Sequence, residues 1–77
     1  MVKIYGSMLC PDCVRCLEEL DRVQKEYVFL DFSADLKNLK EFLALRDGDS
    51  LFDEVRREGK IGIPCIVAED GTVSLEW

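Results

Sequence analysis

The chain contains no apolar run that approaches the ~20 residues a membrane span requires. Its opening, Met1-Val2-Lys3-Ile4, passes straight into a strand-like run without the charged and apolar regions of a secretion signal, so a cytoplasmic location is expected. Proline and glycine are scarce, two and five in 77 residues, and 48% of the chain is apolar. That combination excludes a collagen-like or disordered polypeptide and points to a compact globule. Basic side chains are in deficit, ten Lys and Arg against 16 Asp and Glu, for a net charge of −6. Phosphate backbones draw their affinity from clustered cations, so nucleic acid is not expected as the main partner, and no membrane association is expected either. Repeats, low-complexity tracts and linkers are missing, which leaves one domain over residues 1–77, close to the size limit at which a core stands without staples. What the chain does have is four cysteines. In a reducing compartment these suit redox catalysis or metal binding better than structural disulfides.

Three of the four fall in one stretch, Ser7-Met8-Leu9-Cys10-Pro11-Asp12-Cys13-Val14-Arg15-Cys16. It joins the apolar run Val2-Lys3-Ile4-Tyr5-Gly6 to a segment of helical periodicity, which places Cys10 at a strand-to-helix junction. The first amides of a helix lack partners inside it and carry about half a positive charge, which favours a thiolate over a thiol. Pro11 suits the first helical position, where a missing N–H costs nothing. Cys13 follows one turn later, within reach of Cys10, and a C-x-x-C pair in this setting reads as a redox motif. Cys10 is then the nucleophile and Cys13, a turn deeper, the resolving thiol. Asp12 places a negative charge in the first turn that opposes the thiolate, and Arg15 partly offsets it.

From residue 11 to about 25 the apolar positions Cys13, Cys16, Leu17, Leu20 and Val23 recur at helical steps, and Glu18–Arg22 and Asp21–Lys25 are spaced to pair on the outer face. Tyr27-Val28-Phe29-Leu30-Asp31-Phe32 reads as a parallel strand covered on both faces, completing a βαβ unit, with Asp31 turned towards the next loop. Ser33 or Asp35 caps a second helix, whose stripe of Leu36, Leu39, Phe42 and Leu43 is expected in the core. Asp47-Gly48-Asp49 interrupts it. Ser50-Leu51-Phe52-Asp53 has capping-box spacing for a further short helix that closes at Gly59. Cys65-Ile66-Val67-Ala68 and Thr72-Val73-Ser74-Leu75, about a turn at Glu69-Asp70-Gly71, form a closing hairpin.

Strand, Cys-Pro-x-Cys, helix, strand, helix, then Ile63-Pro64 before a hairpin resembles the glutaredoxin branch of the thioredoxin-like superfamily over essentially the whole chain. The resemblance implies an α/β fold with a four-stranded mixed sheet and helices on both faces. It also implies a cis Ile63–Pro64 bond beside the active cysteines, with Ile63 and Pro64 in substrate binding and Lys60 as a partner for a carboxylate. Two family features are replaced: Ser7 stands where a basic residue is usual, and Asp12 where an aromatic one is. A Gly-Gly turn and last helix are expected to be missing, which would leave apolar surface open near Cys16, Leu75 and Trp77 and room for a weak homodimer.

The implied activity is thiol–disulfide oxidoreduction on a protein or small-molecule disulfide, with electrons from glutathione or a protein reductase and no bound cofactor. The rival is a metal or iron–sulfur module using Cys10, Cys13 and Cys65. Cys10 and Cys16 lie ~240° apart around a regular helix, so three cysteines of one helix cannot converge on one ion. Cys16 and Cys65 read as small buried hydrophobes or as auxiliary thiols.

Overall fold

The computed structural model describes residues 1–76, so the expectation of open apolar surface at Trp77 lies outside the described residues. Four strands and three helices follow in the order β1 (Val2–Gly6), α1 (Pro11–Arg22), β2 (Tyr27–Asp31), α2 (Leu36–Gly48), α3 (Asp53–Arg57), β3 (Cys65–Val67) and β4 (Val73–Ser74). The strands form one mixed sheet in the order β2-β1-β3-β4. β1 runs parallel to β2, with Ile4 opposite Phe29, and antiparallel to β3, with Tyr5 opposite Cys65. The hairpin turns where Gly71 adopts φ +90°, and its amide donates to the Ala68 carbonyl at 2.9 Å.

Side chains alternate across β1, and this alternation builds two cores. Ile4 packs with Cys16 and Leu17 of α1 on one face. Tyr5 packs with Phe42, Phe52 and Cys65 on the other, beneath α2 and the 3-10 turn Ser50–Phe52. Helices therefore cover both faces of the sheet, as expected. The second core is aromatic at its centre, where the Phe42 ring lies 5.4 Å from that of Phe32 and meets Phe52 edge-on at 6.0 Å.

Several local expectations are corrected. α1 ends at Arg22 because Gln24 takes a left-handed conformation, φ 59°, which stops the helix before Lys25. Lys25 then has no helical neighbour in Asp21, which accepts from the Tyr27 hydroxyl instead, while Arg22 pairs with Glu19. β2 is an edge strand, so Val28 is exposed rather than covered. The stripe of α2 is rotated: Phe42 is buried with Leu45 against it, whereas Leu36 is 70% exposed and Leu43 is also open to solvent. Asp35 caps α2 by accepting from the Lys37 amide, and Asp49, not Ser50, caps the turn that follows by accepting from Leu51. Among the described residues, no helix is long and apolar enough to cross a membrane.

Candidate active site

Because β1 and β2 are parallel, their carboxyl ends leave the sheet at the same edge, and antiparallel β3 enters there. That edge carries the site. Cys10 is the N-cap of α1, with extended backbone at φ −97° and ψ 117°, and Pro11 takes the first helical position. The Cys10 sulfur accepts from the Cys13 amide at 3.4 Å. Such a donor at a helix N-terminus stabilises a thiolate.

Cys10 is partly exposed, whereas Cys13 is sealed from solvent. Burial, the largest cause, pushes the Cys13 thiol up to about 12; the Ser7 amide pulls against this, and the hydrogen bond and charge of Cys10, with the charge of Cys16, add to it. Cys13 lies against β1 at Gly6, where a β-carbon would stand 2.7 Å from its sulfur. The two thiols thus differ in access, and burial holds the proton of Cys13. Asp12 is exposed and paired with Arg15, so its charge is largely spent on a neighbour.

The turn before α1 is organised by Ser7, which is buried although polar. Its carbonyl accepts from the Cys10 amide at 3.0 Å, and its hydroxyl accepts from the Leu9 amide at 3.1 Å and contacts the Ser33 hydroxyl at 2.9 Å. Ser33 in turn donates from both its amide and hydroxyl to Asp31, at 2.8 and 2.5 Å. Asp31 does turn towards its loop, and the Ser33 hydroxyl is the main reason its carboxyl is held below the usual range. The sequence offered one signal for this set: Asp-x-Ser at a strand end suits an Asx turn.

Beside Cys10 opens a groove of about 670 Å³, lined by Leu9, Phe32, Ser33, Lys60, Ile61 and Ile63 among others. Lys60 and Ile63 are therefore brought to Cys10. The Ile63–Pro64 bond is cis, but Pro64 is buried below the surface and so forms no wall of the groove. Lys60 is the one cation lining the groove among the described residues, and its ammonium lies 3.0 Å from Glu58. The loop of Lys60 and Ile61 is fixed from α2, where the Arg46 guanidinium donates to both carbonyls at 2.6 and 2.9 Å. Gly62 has φ +92°, and a β-carbon there would approach the Phe52 ring to 3.0 Å, so glycine is needed both for conformation and for space.

The remaining cysteines lie elsewhere. Cys16 is buried against Ile4 under α1, and Cys65 is buried with Tyr5 and Phe42 on the opposite face. Burial pushes the Cys65 thiol up to about 11 and raises that of Cys16 as well. The sheet stands between Cys65 and the pair Cys13 and Cys16, and no group of three metal-binding side chains converges among the described residues. The surface expected to be open near Cys16 is closed, since Leu20, Tyr27, Phe29 and Ile66 pack around it. The exposed apolar side chains near the site are instead Met8, Leu9 and Ile61.

Fold and site together define a small α/β domain with a four-stranded mixed sheet and a cysteine pair at the N-terminus of its first helix. No family model matches the chain, and no solved structure matches it. A protein of Haemophilus influenzae described as uncharacterized is 37% identical over 73 residues, covering 95% of this chain and 85% of that one. The chain belongs to the family of that protein.

Proposed function

We propose that this protein is a cytoplasmic thiol–disulfide oxidoreductase with a thioredoxin-like fold of the glutaredoxin type. One observation carries the reading: the exposed member of the pair, Cys10, has its sulfur on a helix N-terminal amide, while its partner Cys13 is buried one turn behind it. The Cys10 thiolate attacks a substrate disulfide, forming a mixed disulfide and releasing one substrate sulfur as a thiolate. Cys13 then attacks the Cys10 sulfur, and the second substrate sulfur leaves. Two electrons pass from the dithiol to the substrate, its two sulfurs end with the protons of the dithiol, and a Cys10–Cys13 disulfide remains. An external thiol reductant restores the pair.

The buried thiol is suited to act second. Two of the causes that hold its proton, the hydrogen bond to Cys10 and the Cys10 charge, disappear once Cys10 is tied up in the mixed disulfide. Cys13 therefore ionises more readily at the step that needs it.

The groove supports a protein disulfide as substrate in preference to glutathione. Its walls carry Leu9, Phe32, Ile61 and Ile63, and among the described residues Lys60 is its one cation, shared with Glu58 in an exposed pair, which is little charge for the two carboxylates of glutathione. A polypeptide with apolar side chains flanking its disulfide matches these walls.

Trapping tests the reading. With a disulfide-bonded protein substrate, Cys13→Ser accumulates a covalent adduct on Cys10 that mass spectrometry detects, and Cys10→Ser forms none and reduces nothing. Equal trapping by both variants, or by neither, would sink the assignment.

A further inference from the structure

The hydroxyls of Ser7 and Ser33 form a chain whose direction is fixed by counting protons. A hydroxyl has one hydrogen to donate. The Asp31 oxygen Oδ1 already accepts the Ser33 amide at 2.8 Å, so it is an acceptor, and the Ser33 hydroxyl 2.5 Å away donates to it. Ser33 Oγ then offers lone pairs only, and the Ser7 hydroxyl at 2.9 Å must donate to it. Ser7 Oγ in turn accepts the Leu9 amide at 3.1 Å. All four groups point one way, from the Leu9 N–H through two hydroxyls to a carboxylate. The charge at its end strengthens the Ser33–Asp31 link, which faces solvent, while the links of Ser7 to Ser33 and Leu9 are partly buried.

The chain ends on the residue that aims Cys10. Ser7 accepts the Cys10 amide on its carbonyl at 3.0 Å, closing the turn that leads into α1. Cys10 is thereby held as N-cap with its sulfur over the Cys13 amide. We propose that Asp31 is a positioning residue for the Cys10 thiol, acting through Ser33 and Ser7 across the gap between β2 and the turn after β1. This rests on the reading of Cys10 as the reactive thiol, and it assigns a purpose to the serine that stands at position 7.

The consequence is reactivity as well as shape. If the chain is cut, the turn relaxes, the Cys10 sulfur drifts off the Cys13 amide, and the thiolate loses a donor. Other groups facing Cys10 stay as they are: Asp12 on its own helix paired with Arg15, Lys60 across the groove paired with Glu58, and the Cys13 thiol beneath. Asp31 also accepts from the Met8 amide in the same turn, so it is a change on altering Ser33, which leaves that contact in place, that is transmitted through the hydroxyl chain.

Alkylation of the reduced, full-length protein by iodoacetamide from pH 5 to 10, with the modified cysteine located by peptide mass mapping, tests this. Ser33→Ala and Asp31→Asn are expected to move the midpoint of the Cys10 profile upward and to slow alkylation at pH 7 by about three- to tenfold, as the loss of one hydrogen bond to a charged group allows. Ser33→Thr restores the hydroxyl and is expected to match the unsubstituted protein. Unchanged profiles in Ser33→Ala, or a Ser33→Thr protein as impaired as Ser33→Ala, overturn the proposal. Should Asp31→Asn fail to fold, the two Ser33 variants decide alone. Alkylation requires no turnover, so a protein that reduces no disulfide can still show the shift, and the two readings fail separately.

Discussion

Gly6 lies so close to the sulfur of Cys13 that a β-carbon at this position would stand 2.7 Å from it, with the Phe29 ring at 3.3 Å on the same side. Neither neighbour is free to move, since Cys13 is fully buried between β1 and α1. Gly6→Ala is therefore expected to push α1 outward at its first turn. The expected cost is about 1–3 kcal/mol of stability, typical of overpacking a core. Urea unfolding measures this, and a mixed disulfide that persists longer after substrate addition shows that the resolving thiol has been displaced.

The two most perturbed thiols predict the behaviour in alkali. Burial carries Cys65 from near 9 to about 11 and Cys13 to about 12. Below about pH 9 the folded and unfolded chains hold these protons alike. Above it the unfolded chain releases them while the folded chain keeps them, so stability falls as pH rises towards 11–12, by up to about 1.4 kcal/mol per pH unit for each thiol. Urea midpoints at pH 8, 10 and 11 check this, and Cys65→Ala is expected to flatten the decline although it weakens the protein at every pH.

Asp12 and Arg15 are expected to act on Cys10 with opposite signs and to cancel when removed together. Asp12→Asn frees the Arg15 charge beside the thiolate and speeds alkylation at pH 7; Arg15→Gln frees Asp12 and slows it. The double variant returns near the starting rate. Because both side chains are exposed, the single effects stay within a few-fold and fade in 1 M salt. Rates that ignore either substitution at low salt would show that the pair does not sense Cys10.

Donor preference follows from the groove. Steady-state reduction of a protein disulfide is expected to exceed that of a glutathione mixed disulfide, and Lys60→Ala is expected to change the glutathione rate little, because Glu58 already occupies that ammonium. A large loss specific to glutathione would assign Lys60 to its carboxylate after all. Exposed Met8, Leu9 and Ile61 are the side chains whose replacement by serine should weaken protein-substrate binding, seen as a higher KM with kcat kept.

The features legible in the sequence were those with local signals. Pro11 marks the first residue of α1, one of the two candidates Ser33 and Asp35 is the cap of α2, and Glu69-Asp70-Gly71 marks the hairpin turn. Val2–Gly6 is legible as a strand from its β-branched and aromatic residues, but not the alternation that sends Ile4 and Tyr5 to different cores. What depended on distant partners was hidden. Ser7 is defined by Ser33, which lies 26 residues away, and nothing around it in the chain says that it will be buried. The rotation of α2 is likewise set by the aromatic cluster it meets, and its apolar residues fit more than one stripe: the expected stripe holds at Phe42, whereas Leu45 takes the inward place given to Leu36 and Leu43. Gln24 gave no warning of its left-handed backbone, because neither glycine nor asparagine marks that helix end.

The sheet that separates Cys65 from the other thiols also governs what oxidation can do to this chain. Cys13 and Cys16 are both sealed from solvent under α1, and Cys65 is buried behind the strands. In the native protein the cysteine that a dissolved oxidant reaches is therefore Cys10, and the thiol one turn behind it, Cys13, is the partner at hand.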